Sequence, residues 1–230
     1  MLSIAVPCFN EADGIENLKR VLSSTAESLG SEIEILAVND GSTDTTQAQL
    51  QQWANEEPRL SVLSHEKNKG LGAALRTALA EARGEWLVFL DADLTFHPDL
   101  IADLLKERDR QEADCVSGSP LLDGMAEVPL VRKMPSLLLN AFYRGLLSRR
   151  LTSFTPMFRL YRTTDLQALE LRSNGFEISV EILAGLLKAG KKIVEIPASL
   201  TTRITGESKL RRWRELANHG RLVLRLLSGR

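Results

Sequence analysis

Short β-rich runs alternate with helical patterns through the first half of the chain, and this alternation constrains the fold more than any other feature. Residues 3–7 read as a strand, 13–29 as a helix and 33–38 as a second strand. A helix after Asp44, a strand over 60–63, a helix over 70–82 and a strand over 86–90 continue the series. Strands spaced by helices in this way predict a mostly parallel, Rossmann-like α/β sheet with helices on both faces. Ligands of such sheets bind beyond the carboxyl ends of the strands. Asn10 and Glu11 after the first strand, Asp40 after the second, and Asp91 and Asp93 after the fourth fall there.

The second half is less regular. It reads as a helix over 135–147, a strand over 157–161, a helix over 179–189, strands over 192–196 and 199–202, and a last helix over 208–227. At 230 residues and 43% apolar content the chain can bury one sizeable core. No repeat, low-complexity tract or linker marks a boundary, so 1–230 is expected to be a single domain, with 1–127 and 128–230 as halves sharing that core. There is no apolar run of membrane-spanning length, and Met1 leads straight into the first strand without a leader pattern. Cys8 and Cys115 sit in apolar strand contexts without a C-x-x-C partner, which predicts buried, reduced thiols and a cytoplasmic protein.

The net charge of −1 hides a strong asymmetry. Residues 1–127 hold 10 Lys and Arg against 23 Asp and Glu, whereas 128–164 hold seven bases and no acid. The last thirty residues carry eight bases and two acids. A basic half beside carboxylate clusters suits a ligand that brings phosphates and a metal.

Asp91, Ala92 and Asp93 end an apolar strand. Continued strand alternation would point both carboxylates the same way, about 7 Å apart, where Mg²⁺ or Mn²⁺ could join them to substrate phosphates. The alternative is that Asp93 begins the helix introduced by Pro98. Asn39-Asp40-Gly41-Ser42-Thr43-Asp44 closes the second strand, with Gly41 allowing the turn and Asp44 placed as an N-cap. Capping leaves Asp40 unexplained; its carboxylate could accept hydrogen bonds from a base or ribose. Gly70-Leu71-Gly72 follows the third strand and has Leu75 where a dinucleotide fingerprint needs its third glycine, so close helix packing is its expected role.

Val6-Pro7-Cys8-Phe9-Asn10-Glu11, Asn39-Asp40-Gly41-Ser42, Gly70-Leu71-Gly72-Ala73-Ala74, Asp91-Ala92-Asp93-Leu94 and Gly206-Glu207-Ser208-Lys209-Leu210 occur in the order found in family-2 glycosyltransferases. The whole chain resembles the dolichol-phosphate mannosyltransferase and polyprenyl-phosphate glycosyltransferase branch. That resemblance implies the GT-A fold, and that Pro7, Phe9, Glu11, Val38 and Asp40 hold the nucleotide. It assigns Asp91, Ala92 and Asp93 to the diphosphate and its Mg²⁺ or Mn²⁺, with Thr95 where the branch usually has Gln. It also implies that Arg132 and Ser136 meet the acceptor phosphate, and that Arg203, Ser208 and Lys209 contact phosphates. Two departures fall on the acceptor side: Pro120 where the branch places Arg, and the run 153–157 before Phe158-Arg159.

The implied reaction moves a hexose from a nucleotide sugar of the GDP-mannose or UDP-glucose type to a polyprenyl or dolichyl phosphate, with inversion. An ionised phosphate nucleophile needs no general base. Catalysis would rest on the metal with Asp91 and Asp93, and on Arg132, Arg203 and Lys209. Two alternatives stand beside it. One is transfer to a carbohydrate hydroxyl, for which Glu177 and Glu181 are the candidate bases and 209–213 mimics a polysaccharide-synthase motif; the other is a nucleotide-sugar-binding protein without turnover.

Trp213, Leu216, Ala217, Gly220, Val223, Leu224 and Leu227 form an apolar stripe on the last helix, between arginines. The stripe either packs on the sheet or lies on the inner face of an anionic membrane, making the protein peripheral there. No nucleic-acid partner is expected. A membrane-protein partner is expected if the helix does not itself reach the lipid.

Overall fold

In β1 (Leu2–Cys8) and β2 (Ile33–Asn39) alternate side chains turn to opposite faces of the sheet, and both faces are covered. Ile4, Val6, Ile35 and Ala37 enter one apolar cluster, while Ala5, Leu36 and Val38 enter another. Strands buried on both sides need near-continuous apolar runs, and these two have them. The computed structural model describes residues 1–30, 32–122, 130–201 and 212–228.

Helix α1 (Ile15–Leu29) packs through Ile15, Leu18, Leu22 and Ala26, which recur at helical spacing, and each of its buried leucines contributes about 1.5–3 kcal/mol. It starts two residues later than the periodicity predicts, because the Glu11 carbonyl accepts from both Gly14 N and Ile15 N and closes a turn first. Then come α2 (Thr46–Glu56), β3 (Leu60–Ser64), α3 (Leu71–Glu81), β4 (Trp86–Phe89), α4 (Leu100–Gln111) and β5 (Cys115–Ser119). The remainder is α5 (Leu130–Leu146), β6 (Arg159–Arg162), α6 (Thr163–Gln167), α7 (Ile178–Lys188), β7 (Ile193–Pro197) and α8 (Arg212–Leu227).

The strands form one sheet in the order β3-β2-β1-β4-β6-β5-β7. All pairings are parallel except those of β6, which runs antiparallel to β4 and β5. The chain moves outward from β1 to β3 and returns to β4 on the other side of β1. The strand order therefore reverses at β1, and this is where ligands of such sheets bind.

Two expectations about the elements change in the second half. Helix α5 starts at Leu130 and runs through Pro135, giving up one backbone bond there. Residues 199–201 are not a strand: Thr201 instead donates its N–H to the Thr95 carbonyl at 2.9 Å and its hydroxyl to Leu94 O. The start of the last helix at residue 208 lies outside the described residues. Two bases of the 128–164 block are held by the body of the protein. Arg162 pairs with Glu85 at 3.0 Å, and its guanidinium, like that of Arg108, lies over the Trp86 ring. Arg159 is fully buried and donates to Ser117 Oγ and to the Ser179 and Ser153 carbonyls. Cys8 and Cys115 are buried and free, and burial raises both thiol pKa values.

Glu34, 4% exposed, ties the far end of the sheet together. It accepts from Ser3 Oγ at 2.6 Å, Arg83 N at 2.6 Å, Arg83 Nε at 2.9 Å and Gly84 N at 3.2 Å. Burial pushes its pKa up, but the bonds from Ser3 and Arg83 outweigh this and hold it below the ordinary 4.5. A lowered folded pKa means that the stabilisation is present above pH 4.5 and is lost as pH falls through the folded value. Glu34→Ala should therefore cost about 2–4 kcal/mol at neutral pH, since it strands buried donors. The difference from wild type should shrink in urea melts below pH 4; an undiminished difference there would place the effect elsewhere.

Candidate active site

The loops after β1 and β2 are stitched together beside the reversal of strand order. Asn10, at φ +54°, donates its N–H to Ser42 Oγ at 2.9 Å and accepts Thr43 N on Oδ1 at 2.7 Å. Glu11 N donates to Thr46 Oγ1 at 2.8 Å, and Asn39 Oδ1 accepts Ser42 N at 3.1 Å. Asp44 caps α2 from two residues upstream, accepting from Thr46 N at 3.0 Å and also from Ala12 N. Burial alone would raise its pKa, but the hydroxyl and N–H of Thr46 bring it below the ordinary 3.8.

Asp40 lies at the carboxyl end of β2, 3% exposed. Its carboxylate accepts from Lys69 N at 2.9 Å and Gly70 N at 2.8 Å, and it faces His65 Nδ1 at 2.6 Å. Asp40 therefore fixes the loop over 65–70, a role the sequence reading had not given it. Gly41, at φ +66°, lies so close to this loop that a Cβ would run into the Lys67–Asn68 backbone. Gly70 and Gly72 press against the Asn174 and Ser173 carbonyls, and Gly72 N donates to Asn174 O, so the Gly-Leu-Gly run serves packing as expected.

Among the expected nucleotide residues, Pro7, Phe9 and Glu11 are half-buried at the end of β1. Val38 is fully buried with its side chain in the core, and Ala92 is 7% exposed. Asp91 and Asp93 are half-buried in a turn rather than on an extended strand: Leu94 N donates to Asp91 O at 3.0 Å, and Leu94 has φ +54°. The alternation argument therefore does not set their geometry. Asp93 is also not the start of α4, which begins at Leu100 with Asp99 as its N-cap. Thr95 gives both its N–H (3.0 Å) and its hydroxyl (2.7 Å) to Asp93 Oδ1, which fixes that carboxylate. Two partly accessible carboxylates beside a hydroxyl form the all-oxygen set that suits Mg²⁺ or Mn²⁺ when substrate phosphates complete the shell. Among the described residues no group of three or more His, Cys, Asp or Glu could hold an ion alone.

Among the residues expected at the acceptor, Ser136 of α5 accepts from Asn140 Nδ2 at 3.2 Å, and Asn140 Oδ1 accepts Phe154 N at 2.7 Å. The Arg132 backbone lies in the first turn of α5, one turn before Ser136. Its side chain, and all of Arg203, Ser208 and Lys209, lie outside the described residues. The departure run is structural: Thr152 N and Ser153 N donate to Glu195, and Pro120 is buried. The two candidate bases separate. Glu181 is committed to Arg172 N, Ser173 N and Arg225. Glu177, 4% exposed, accepts Gly175 N on Oε1, and its Oε2 has no hydrogen-bond partner among the described residues.

A relative at 32% identity is an undecaprenyl-phosphate mannosyltransferase from Micrococcus luteus, matched over 89% of this chain and 85% of its own. A dolichol-phosphate mannosyltransferase from Pyrococcus furiosus is 31% identical over 91% of this chain and 59% of its own. Glycosyltransferase AglD from Haloferax volcanii is 28% identical over 97% of this chain, which spans only 36% of that protein. Among solved structures, glucosyl-3-phosphoglycerate synthase from Mycobacterium tuberculosis, crystallised with Mn²⁺ and UDP, superposes with a TM-score of 0.72. The match has 20% identity and covers 99% of this chain and 78% of the synthase, which supports the GT-A fold. The profile of glycosyl transferase family 2 matches residues 3–169, and with the site at the strand reversal it establishes that the chain belongs to that family of glycosyltransferases.

Proposed function

We propose that the chain transfers a hexose from a nucleoside-diphosphate sugar to a polyprenyl or dolichyl phosphate. The observation that carries this reading is the tether of Thr201 to the Asp91–Asp93 turn. It holds Thr201, two positions before Arg203 in the sequence, against the turn that carries the two carboxylates. The relatives named for undecaprenyl and dolichol phosphates support the same acceptor class.

Asp91, Asp93 and Thr95 would hold Mg²⁺ or Mn²⁺. Such an ion, when bound, offsets the charge gathering on the departing diphosphate. Phe9, Glu11 and Asp40 border the nucleoside. Arg132, Ser136, Arg203, Ser208 and Lys209 hold the acceptor phosphate in line behind the anomeric carbon. One phosphate oxygen forms the new bond to that carbon, the bond to the diphosphate oxygen breaks, and its electron pair leaves with the nucleoside diphosphate. The acceptor is already an anion, so no side chain has to remove a proton.

The test is incubation with a panel of nucleotide sugars, Mg²⁺ or Mn²⁺ and a polyprenyl phosphate, followed by extraction of labelled lipid. Label in lipid supports the reading; label only in added oligosaccharide favours the hydroxyl-acceptor reading, to which the Glu177 oxygen without a partner among the described residues lends weight. Arg132→Ala should lower kcat/KM for the lipid phosphate by about 10- to 100-fold through loss of charged hydrogen bonds. Nucleotide affinity in calorimetry should survive, and its loss would reverse the assignment of sides. Arg203→Ala and Lys209→Ala should cost more.

Association with a membrane surface belongs to the same proposal. Among the described residues no helix is long and apolar enough to cross a bilayer. Helix α8 turns Leu222 inward and leaves Leu216, Leu224 and Leu227 62–69% exposed, so much of its predicted stripe faces outward.

A further inference from the structure

Helix α5 carries a buried amide one turn beyond Ser136. Arg132, Ser136 and Asn140 stand four apart on α5, so one side of the helix carries all three positions. Asn140 is 2% exposed, and its partners fix which way its amide faces. The backbone N–H of Phe154 can only donate, so it takes Oδ1 at 2.7 Å. The amide nitrogen is left facing Ser136 Oγ at 3.2 Å and Thr155 Oγ1 at 3.5 Å.

Phe154 N is itself held in place. Glu195 accepts from Thr152 N at 2.6 Å and Ser153 N at 3.0 Å, Thr152 Oγ1 meets Ser119 Oγ at 2.7 Å, and the buried Arg159 guanidinium donates to Ser153 O at 3.4 Å. Arg159, Ser117 and Glu195 are neighbours in register on β6, β5 and β7, with Arg159 Nε on Ser117 Oγ at 2.9 Å. A cation and a carboxylate on either side of Ser117 thus clamp the loop before Phe154, whose ring is fully buried. Turning the Asn140 amide over would set two N–H donors against each other and leave both without an acceptor.

We propose that Asn140 is a positioning residue that sets the polarity of Ser136, so that the Ser136 hydroxyl gives its proton to an oxygen of the acceptor phosphate. A serine hydroxyl has one proton and two lone pairs. With a lone pair engaged by Asn140 Nδ2, the proton needs an acceptor elsewhere, and among the described residues nothing else is bonded to that hydroxyl. A charged phosphate oxygen is the strong acceptor that such a donor fits. On the lipid-phosphate reading, on which this assignment rests, the acceptor brings that oxygen beside Ser136. Because the Asn140 amide is fixed by the folded loop, the hydroxyl is oriented before the phosphate arrives and loses less freedom on binding it.

The test compares Asn140→Asp with wild type in the transfer of labelled sugar to a polyprenyl phosphate. The carboxylate keeps an oxygen for Phe154 N but turns a second acceptor toward Ser136, which then donates its proton inward. Loss of a charged hydrogen bond should lower kcat/KM for the lipid phosphate about 10- to 100-fold, with nucleotide affinity in calorimetry unchanged. An equal loss of nucleotide affinity would mark a general loosening and overturn the proposal. Combination with Ser136→Ala separates positioning from structure. The double variant should keep more activity than the product of the two single losses predicts, and single losses that simply multiply overturn the proposal. Should the buried charge unfold the aspartate variant, as its melting temperature would show, Asn140→Ala replaces it in the same cycle, removing the N–H donor without adding charge. Lipid labelling by wild type together with wild-type kinetics in the Asn140 variant overturns this proposal alone. No lipid labelling by wild type overturns the acceptor reading, and this proposal with it.

Discussion

Asp91→Asn and Asp93→Asn should each lower turnover by roughly 10²- to 10³-fold, the scale of removing one main electrostatic stabiliser from a reacting site. Both residues sit in the turn that closes β4, and each substitution takes one charge from an all-oxygen set that needs substrate phosphates to be complete. Asp93 Oδ1 also receives Thr95 N and Oγ1, and the amide oxygen of Asp93→Asn can still accept both, so that variant isolates the loss of charge, whereas Asp93→Ala should also loosen the turn and the Thr201 tether. Excess chelator should reproduce the loss in wild type, and added Mn²⁺ should restore it. Initial rates of sugar transfer over a metal titration provide the check. Near-wild-type rates for either variant, or full activity in chelator, would remove the metal role from these carboxylates.

Asp40→Ala should act on stability and binding together. It removes the acceptor for Lys69 N and Gly70 N and the partner of His65 Nδ1. Stranding donors in a part-buried loop costs about 2–4 kcal/mol. For a chain of this size that corresponds to a fall in melting temperature of roughly 5–15 °C. Asp40→Asn keeps one acceptor oxygen and should fall between. Because the loop over 65–70 closes onto Gly41, nucleotide affinity measured by calorimetry should weaken in the same order. A melting temperature within a degree or two of wild type for Asp40→Ala would mean that the loop is held by other contacts.

The parallel half of the sheet was legible because each strand there is an apolar run ended by polar residues, and each helix repeats at its own period. The position of the site followed, since Asp40 and Asp91 stand where those runs stop. What the sequence could not convey is conformation after the runs end. Alternation was extended through Asp93, but the positive φ of Leu94 turns the chain, and nothing in Asp-Ala-Asp-Leu announces that. Asp40 looked available for a ligand because its partners lie 25 to 30 residues away and share no periodic signal with it. Arg159 counted as one more base in an acid-free stretch, although it is fully buried. The outer stripe of α8 was visible in the spacing, but which side of the helix meets the body was set by Leu222 and by the reach of Arg225 to Glu181.

The place of β6 bears on how such a chain matures. The first four strands can pair with one another as they emerge, but β5 lies between β6 and β7, both of which come later in the chain. Until residue 162 has been made, β4 keeps an open edge and β5 has no neighbour, so a nascent chain ending near residue 127 presents unpaired, strongly apolar strand to its surroundings. The acidic half is therefore unlike a separable module: its sheet is completed by a strand from the basic half, threaded in the opposite direction. Synthesis of the sheet is finished only when the antiparallel strand β6 arrives to seal it.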